Sequence, residues 1–260
     1  MTASKDAIVA RAKAYPFAPP AQSYVLVGHR SVPLTDSSEE ALAKAVRAGG
    51  GDPGRLAKPR TAVIAWGSNA SPTRLAEKFG DFRADAVIPV LRSELRDFAV
   101  VHSAHLSAYG SVPATGRRAP GARAKVFVAL LTDAHLDRLH STEAIGRNYG
   151  FYRLDGLRLA FEGGGESDAA HAYLSLHGCL DVDGDCVALA AVEAEAVPFR
   201  TLDQIAVLSL VRDRLAPGSP LDDFIHETVT DEGLRARRIA VLRESASPSP
   251  ASDGLATRIL

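Results

Sequence analysis

TAVIAWGSNASPTRLAEKF, residues 61–79, is the stretch that decides the fold. Residues 61–66 are apolar and partly β-branched, which predicts a buried strand. Residues 67–69, Gly-Ser-Asn, are small and favour a turn. Beyond them, Ser71 is suited to cap a helix and Pro72 to occupy its first position. We therefore expect a short amphipathic helix to follow the turn.

The turn at residues 67–69 connects the end of the predicted strand to the start of the predicted helix. Several backbone N–H groups at such a junction point toward one spot, and the helix dipole adds partial positive charge there. The junction therefore predicts a pocket for an anion. The alternative, which the local pattern alone favours, is an ordinary strand–turn–helix junction without a ligand.

The tetrapeptide Trp-Gly-Ser-Asn at residues 66–69 resembles the Tyr-Gly-Ser-Asn signature of the γ-glutamylcyclotransferase-like family. Residues 136–149, LDRLHSTEAIGRNY, resemble that family's Leu-Asp-x-x-Glu-Gly segment and the Tyr that follows it. Between the two, residues 109–131 are similar to the family's Ala/Thr-rich stretch, Pro/Gly turn and strand. The segments occur in the family's order and spacing, and the resemblance extends over residues 61–238.

The resemblance implies an α+β fold, a small mixed β-barrel with helices packed around it. The irregular order of predicted strands and helices agrees with an α+β architecture rather than a doubly wound sheet. In the family the glutamate of the second segment is catalytic, and it corresponds to Glu143. The residues that the resemblance assigns to substrate binding are Trp66, Gly67, Ser68, Asn69 and Tyr149.

The sequence departs from the family at three positions near these residues. Trp66 replaces a Tyr and lacks its hydroxyl, His140 replaces an Asp, and Ala144 replaces a Gly. None of the changes removes the carboxylate of Glu143, but two of them alter its immediate neighbours. They leave open a second interpretation, a catalytically silent ligand-binding or interaction domain of the same fold.

The resemblance implies a cofactor-free amide lyase, or cyclotransferase. In a γ-glutamyl amide the free α-amine attacks the γ-carbonyl, which closes 5-oxoproline and releases an amine or amino acid. Glu143 would take a proton from the attacking amine and return it to the departing nitrogen. The amides of residues 67–69 would hold either the developing oxyanion or the α-carboxylate. A specialised amide-bond lyase of a biosynthetic or detoxification pathway is an alternative with the same mechanism.

Three regions are predicted along the chain. Residues 1–60 form an N-terminal extension with helices and a Gly-rich linker at residues 49–54. Residues 61–243 form the γ-glutamylcyclotransferase-like domain. Residues 244–260, rich in Ser, Pro and Ala, are predicted to be a disordered tail. Within the domain, Gly and Pro interrupt residues 103–123, which predicts a long functional loop.

Composition and charge narrow the class of protein. The chain has 46% hydrophobic and 23% charged residues and a formal net charge of −1. This balance favours neither nucleic acid nor an anionic membrane as a partner, and no apolar run is long enough to span a bilayer. With two cysteines, the expected setting is reduced and cytoplasmic. The expected partner is a small γ-glutamyl substrate, and the sequence leaves the oligomeric state open.

Other chemistries have weaker support in the sequence. Four histidines, His102, His105, His135 and His140, lack acids or cysteines at metal-ligand spacing. The acidic residues 181–185 place their glycine too early for a calcium loop. The Gly-Ser-Asn turn also lacks the Gly-x-Ser-x-Gly elbow of a serine hydrolase. We therefore expect neither a metal nor an organic cofactor.

Overall fold

The computed structural model describes residues 3–18, 20–248 and 256–260. Within them, the α-helices are α1 (Lys5–Lys13), α2 (Glu39–Ala48), α3 (Pro72–Phe79), α4 (Asp133–His140), α5 (Gln204–Leu215), α6 (Leu221–Thr230) and α7 (Glu232–Glu244). The strands are β1 (Tyr24–Val27), β2 (Arg30–Pro33), β3 (Thr61–Ala65), β4 (Val87–His102), β5 (Ala114–Leu131), β6 (Tyr149–Phe161), β7 (Glu166–Ser175), β8 (Asp181–Val182), β9 (Asp185–Leu189), β10 (Ala194–Glu195), β11 (Arg200–Leu202) and β12 (Ala256–Arg258). None of these helices is both long and apolar enough to cross a membrane.

Five strands close into a barrel in the order β5-β3-β7-β6-β4, and pairing between β4 and β5 completes it. β3 and β7 run parallel, whereas the other neighbouring strands are antiparallel. Apolar side chains from all five strands fill the interior, among them Ile64, Leu95 and Leu154. The predicted α+β fold, a mixed barrel with helices around it, is confirmed.

The 61–79 stretch folds as its sequence predicts. β3 is followed by a short 3₁₀ helix at Ser68–Ala70 and then by α3, with Pro72 in its first turn. On α3, Leu75 and Phe79 are fully buried against the outer face of the barrel, which anchors the helix beside the turn. Ser71 is the N-cap residue as predicted, although its side chain makes no capping hydrogen bond.

The predicted loop at residues 103–123 is wrong over its second half, because β5 begins at Ala114. Pro120 and Gly121, which suggested a loop, are accommodated by a bulge opposite Asp97. Asp97 has a φ of 62° and accepts a hydrogen bond from the Gly121 amide at 2.9 Å, while Gly121 has a φ of 85°. Residues 119–122 therefore need no partners on β4, and the two long strands continue past them.

The predicted N-terminal extension packs on the rest of the chain. β1 pairs with β4 and adds β2 at its outer edge. Val46 of α2 is buried with Val25 and Val87, and Gly51 of the predicted linker lies against Val27. α1 belongs to a separate apolar cluster with α5, α6 and α7. Residues 1–60, as far as they are described, thus form part of one continuous structure with the barrel.

The structure also differs from the predicted disordered tail, residues 244–260, where these residues are described. Helix α7 extends to Glu244, and Ser247 forms an antiparallel bridge with Cys179. β12 pairs antiparallel with β6, so residues 256–258 are ordered. This pairing uses main-chain groups, which a composition rich in Ser, Pro and Ala does not reveal. Residues 249–255 lie outside the described residues.

Deleting residues 1–48 is expected to lower the melting temperature strongly and to cause aggregation. The deletion removes buried side chains such as Tyr24, Leu26 and Val46 and exposes one edge of β4. Each large apolar side chain contributes about 1.5–3 kcal/mol on burial, so the total is comparable to the stability of a domain. Thermal unfolding with light scattering measures both effects. Deleting only residues 256–260 is the control, and equal melting temperatures for the intact and N-truncated chains would contradict the expectation.

Candidate active site

A cavity of ≈ 770 Å³ lies where the 67–69 turn, α3 and the segment after α4 meet. Its wall includes Gly67, Ser68 and Asn69 from the turn, together with Glu143 and Tyr149. Trp66 lines the same cavity, so the structure brings together all six residues that the sequence assigns to the site.

The end of α4 positions Glu143. The helix stops at His140, and a tight turn follows in which the Glu143 amide donates to the His140 carbonyl at 3.3 Å. Ala144 has a φ of 49°, in the left-handed region that glycine adopts without strain. This conformation gives a physical reason for the glycine that the family has at this position. Ala144 retains the turn at some conformational cost, and the Glu143 side chain is only 12% exposed.

One oxygen of the Glu143 carboxylate has several donors. Oε1 lies 2.5 Å from Lys78 Nζ, 3.2 Å from Asn69 Nδ2 and 3.4 Å from Thr142 Oγ1. Lys78 also donates to Asn69 Oδ1 at 2.7 Å, so the three side chains form a closed triangle. Among the described residues, no donor is found for Oε2. The carboxylate is therefore held through Oε1, and Oε2 is available for chemistry.

Lys78 is a site residue that sequence reasoning missed. It lies in the second turn of α3, and helical side chains lean toward the N-terminus of their helix. A long side chain at this position can therefore reach back to the turn that precedes the helix. Its side chain is 11% exposed and pairs with Glu143, the residue to which the sequence resemblance points. That direction of the side chain is the one sequence signal that could have identified Lys78.

The main-chain amides of the turn have no main-chain acceptor among the described residues. Within the described residues, the amides of Gly67, Ser68 and Asn69 make no hydrogen bond to a main-chain oxygen. Gly67 has φ −149° and ψ −119°, so its φ lies outside the left-handed region. Space is what requires glycine there, since a Cβ atom would lie 1.9 Å from the hydroxyl of Tyr15. The prediction of an anion pocket at the turn remains a prediction.

Three tyrosines line the cavity beside the turn. The Tyr15 hydroxyl accepts from the Ala114 amide at 2.7 Å, and the Tyr149 hydroxyl donates to the Ala114 carbonyl at 3.2 Å. Tyr109 interacts through its hydroxyl with Ser68 and Ser111. Burial raises the pKa of all three phenols, so they are neutral hydrogen-bonding groups at physiological pH. Tyr15 and Tyr109 were not identified from the sequence.

The ring of Trp66 belongs mainly to the barrel core. It stacks on Phe98 with ring centroids 6.3 Å apart and lies against Gly116, where a Cβ atom would come within 2.5 Å of the indole. Its Nε1 is buried without a hydrogen-bond partner in the described structure. Trp66 therefore shapes the floor of the site through packing.

Positive charge exceeds negative charge around the cavity. Arg74 is buried over the adjoining rings of Phe17 and Tyr109, with its guanidinium carbon 4.9 Å and 5.8 Å from their centroids. This arrangement fixes a cation on the wall while desolvation lowers its pKa from the ordinary arginine value. The charged residues that line the cavity are Arg74, Lys78, Arg138 and Arg147, against Glu77 and Glu143. The four cations and two anions favour an anionic ligand.

The histidines that the sequence raised as metal candidates have other roles. His102 hydrogen-bonds with the carbonyls of Val112 and Leu202, and His135 packs against Phe79. His140 lies 2.8 Å from the Tyr173 hydroxyl. The described part of the chain contains no group of three His, Cys, Asp or Glu side chains suited to a metal ion.

His105 and His177 lie behind the tyrosines with tilted rings whose centroids are 4.7 Å apart. Burial lowers the pKa of His177 to about 4 and that of His105 well below its usual value. Because the unfolded chain binds these protons near pH 6.5, stability is highest above that pH and falls as the pH drops toward 4.

We expect the melting temperature to fall as the pH drops from 6.5 toward 4, and to fall less in His177→Gln. The partly exposed His226→Gln serves as control, and an unchanged pH profile in His177→Gln would contradict this assignment.

Comparison with known proteins finds a limited structural resemblance to solved structures and no match by sequence. No family model matches the chain, and no curated protein sequence matches it. A solved structure named gamma-glutamyl cyclotransferase is 19% identical, with a TM-score of 0.33 over 44% of this chain and 65% of that chain. A crystal structure of an uncharacterized protein from Homo sapiens is 18% identical, with a TM-score of 0.33 over 45% of this chain and 66% of that one. The chain thus matches 65% of the length of the first of these structures.

Proposed function

We propose that this protein is a cofactor-free γ-glutamylcyclotransferase-like enzyme. It converts a γ-glutamyl amide to 5-oxoproline and releases an amine or amino acid. The observation that carries the proposal is the position of Glu143, whose carboxylate lies 3.2 Å from the side chain of Asn69 inside the cavity. A carboxylate beside a turn with available amides supplies a base and an anion-binding group within reach of one small substrate.

The reaction is an intramolecular aminolysis. The α-amine of the substrate forms a bond to the γ-carbonyl carbon, and the bond from that carbon to the departing nitrogen breaks. Glu143 accepts the proton that the attacking amine loses and passes it to the leaving nitrogen, so no proton is gained or lost overall. Because both reacting groups belong to one molecule, holding the folded-back conformer supplies much of the acceleration.

Lys78 and Asn69 are the groups that orient the base in this proposal. They bind Oε1 of Glu143 and leave Oε2 to face the substrate. Fixing the carboxylate in one orientation reduces the reorganisation that proton transfer requires. The excess of cationic side chains around the cavity suits the α-carboxylate that a γ-glutamyl compound carries.

A silent ligand-binding domain is a second candidate, and the same ion pair favours it. Lys78 lies 2.5 Å from Glu143, where it neutralises the carboxylate that a base requires. In such a domain the cavity would bind a small anion without turnover. The two candidates make opposite predictions for γ-glutamyl compounds.

A panel of substrates decides between them. We expect 5-oxoproline release from γ-glutamyl amides, measured by chromatography in the presence of excess chelator. The α-N-acetyl derivative has no nucleophile, and a β-aspartyl amide would have to close a strained four-membered ring, so neither should react. Release of amine from the acetylated compound would indicate a hydrolase. Binding of γ-glutamyl compounds without any turnover would support the silent domain.

A further inference from the structure

Tyr15 reaches the site from outside the region that resembles the family. It follows α1 in the N-terminal segment, is 5% exposed, and packs in the barrel core cluster. Its hydroxyl lies in the same cavity wall as Glu143 and the 67–69 turn. No motif in the sequence marks this tyrosine.

The oxygen of the Tyr15 hydroxyl accepts one main-chain hydrogen bond, and its own hydrogen has no assigned acceptor. The Ala114 amide donates to it at 2.7 Å. A phenolic oxygen that accepts an N–H group can still donate its own hydrogen. Among the described residues, no acceptor for that hydrogen is found, and a buried donor requires one. The cavity is the side from which a ligand could supply it.

The surroundings also keep this hydroxyl protonated. Burial, Tyr109 and Glu143 all raise the pKa of Tyr15 well above its usual value. The Ala114 amide donor on its oxygen withdraws electron density, which strengthens the O–H as a donor. The group is thus a fixed, neutral donor close to the main chain of Gly67, where a Cβ atom would lie 1.9 Å from its oxygen.

We propose that the Tyr15 hydroxyl is a catalytic residue that donates a hydrogen bond to the γ-carbonyl oxygen as negative charge develops there. This inference rests on the proposed function and assigns a chemical role to the N-terminal segment. The donor is preorganised, because the Ala114 amide and the packing of the ring in the core fix its oxygen before the substrate arrives. The alternative is a structural role, in which Tyr15 merely links the turn to β5.

The test compares Tyr15→Phe with Tyr152→Phe. Tyr152 is equally buried in the same core cluster, at 6% exposure, but does not line the cavity. For Tyr15→Phe we expect kcat on a γ-glutamyl amide to fall by about 10²–10³-fold, the usual effect of removing one oxyanion donor, with little change in KM. Tyr152→Phe should retain the parental kcat. Equal kcat in all three proteins overturns the inference and leaves the proposed function intact.

A spectroscopic measurement separates donation from packing. The carbonyl stretch of isotope-labelled 5-oxoproline bound to the intact protein should lie at lower wavenumber than in the Tyr15→Phe complex, because a hydrogen bond weakens the C=O bond. A kcat loss without any difference in the stretch would indicate a structural role and overturn the inference. If the parental protein neither cyclises γ-glutamyl compounds nor binds 5-oxoproline, the proposed function fails, and the role of Tyr15 fails with it.

Discussion

Glu143→Gln is expected to reduce kcat by about 10²–10⁴-fold or more, the usual consequence of losing an acid–base group. Glutamine keeps the size and shape of the side chain but cannot accept the proton of the attacking amine. The fold should persist, because Lys78 retains its contact with Asn69 at 2.7 Å. Initial rates of 5-oxoproline formation, with circular dichroism on the same samples, measure both expectations.

The matched control for this variant is Glu162→Gln. Glu162 also forms an ion pair, with Arg92 at 2.7 Å, but it lies at the end of β6 away from the cavity. The control should lose the ion pairs of Glu162 with Arg92 and Lys125 and keep its activity. A Glu143→Gln protein that turns over substrate at the parental rate would remove this carboxylate from the mechanism.

Gly67→Val is expected to lower the enzymatic activity by about 10²-fold or more, since it displaces the groups that would stabilise the oxyanion. The new Cβ would lie 1.9 Å from the Tyr15 hydroxyl oxygen and 2.8 Å from Cζ, so the turn or the tyrosine must shift. Binding of sulfate or phosphate at the turn amides should weaken in the same variant. Kinetics and anion titration measure these two effects.

A second substitution distinguishes the steric effect of Gly67→Val on stability from its effect on catalysis. Tyr15→Phe in the Gly67→Val background removes the 1.9 Å contact and keeps the ring in the core, so the melting temperature should recover in part while activity stays low. Gly233→Val is the control, because the nearest atom to a Cβ there is 3.3 Å away. Full activity in Gly67→Val would show that neither the turn nor Tyr15 requires its present position.

The parts of the fold that local chemistry specifies could be predicted from the sequence. The turn between β3 and α3 has its own breaker and capping residues, and α4 has Thr132, whose side chain accepts from the His135 amide. The hairpin of β4 and β5 could not be predicted fully, because Gly121 belongs to a bulge that exists only when Asp97 lies opposite. In such cases the meaning of a glycine depends on a strand that is distant in sequence.

The residues of the candidate site likewise fall into two groups, those marked by local sequence and those that only the folded structure brings together. Glu143 and residues 67–69 lie in short motifs, so a resemblance of sequence could point to them. Lys78 and Tyr15 lie in no motif, and each becomes relevant only through contacts with Glu143 or Ala114 that the folded barrel creates. Ala144 is intermediate, since its φ of 49° shows a conformational cost that the sequence alone does not reveal.

The parallel pairing of β3 with β7 determines when the site can form during synthesis. Val63 of β3 pairs with His171 of β7. β3 therefore cannot complete its pairing until β7 has left the ribosome, much later in synthesis. Pairings between such distant segments form slowly, because the intervening chain must first be ordered. A nascent chain that has emerged only as far as Glu143 already contains the proposed base and the turn, but it cannot close the barrel that holds them in place. We therefore expect the protein to gain activity late in translation, after β7 has emerged.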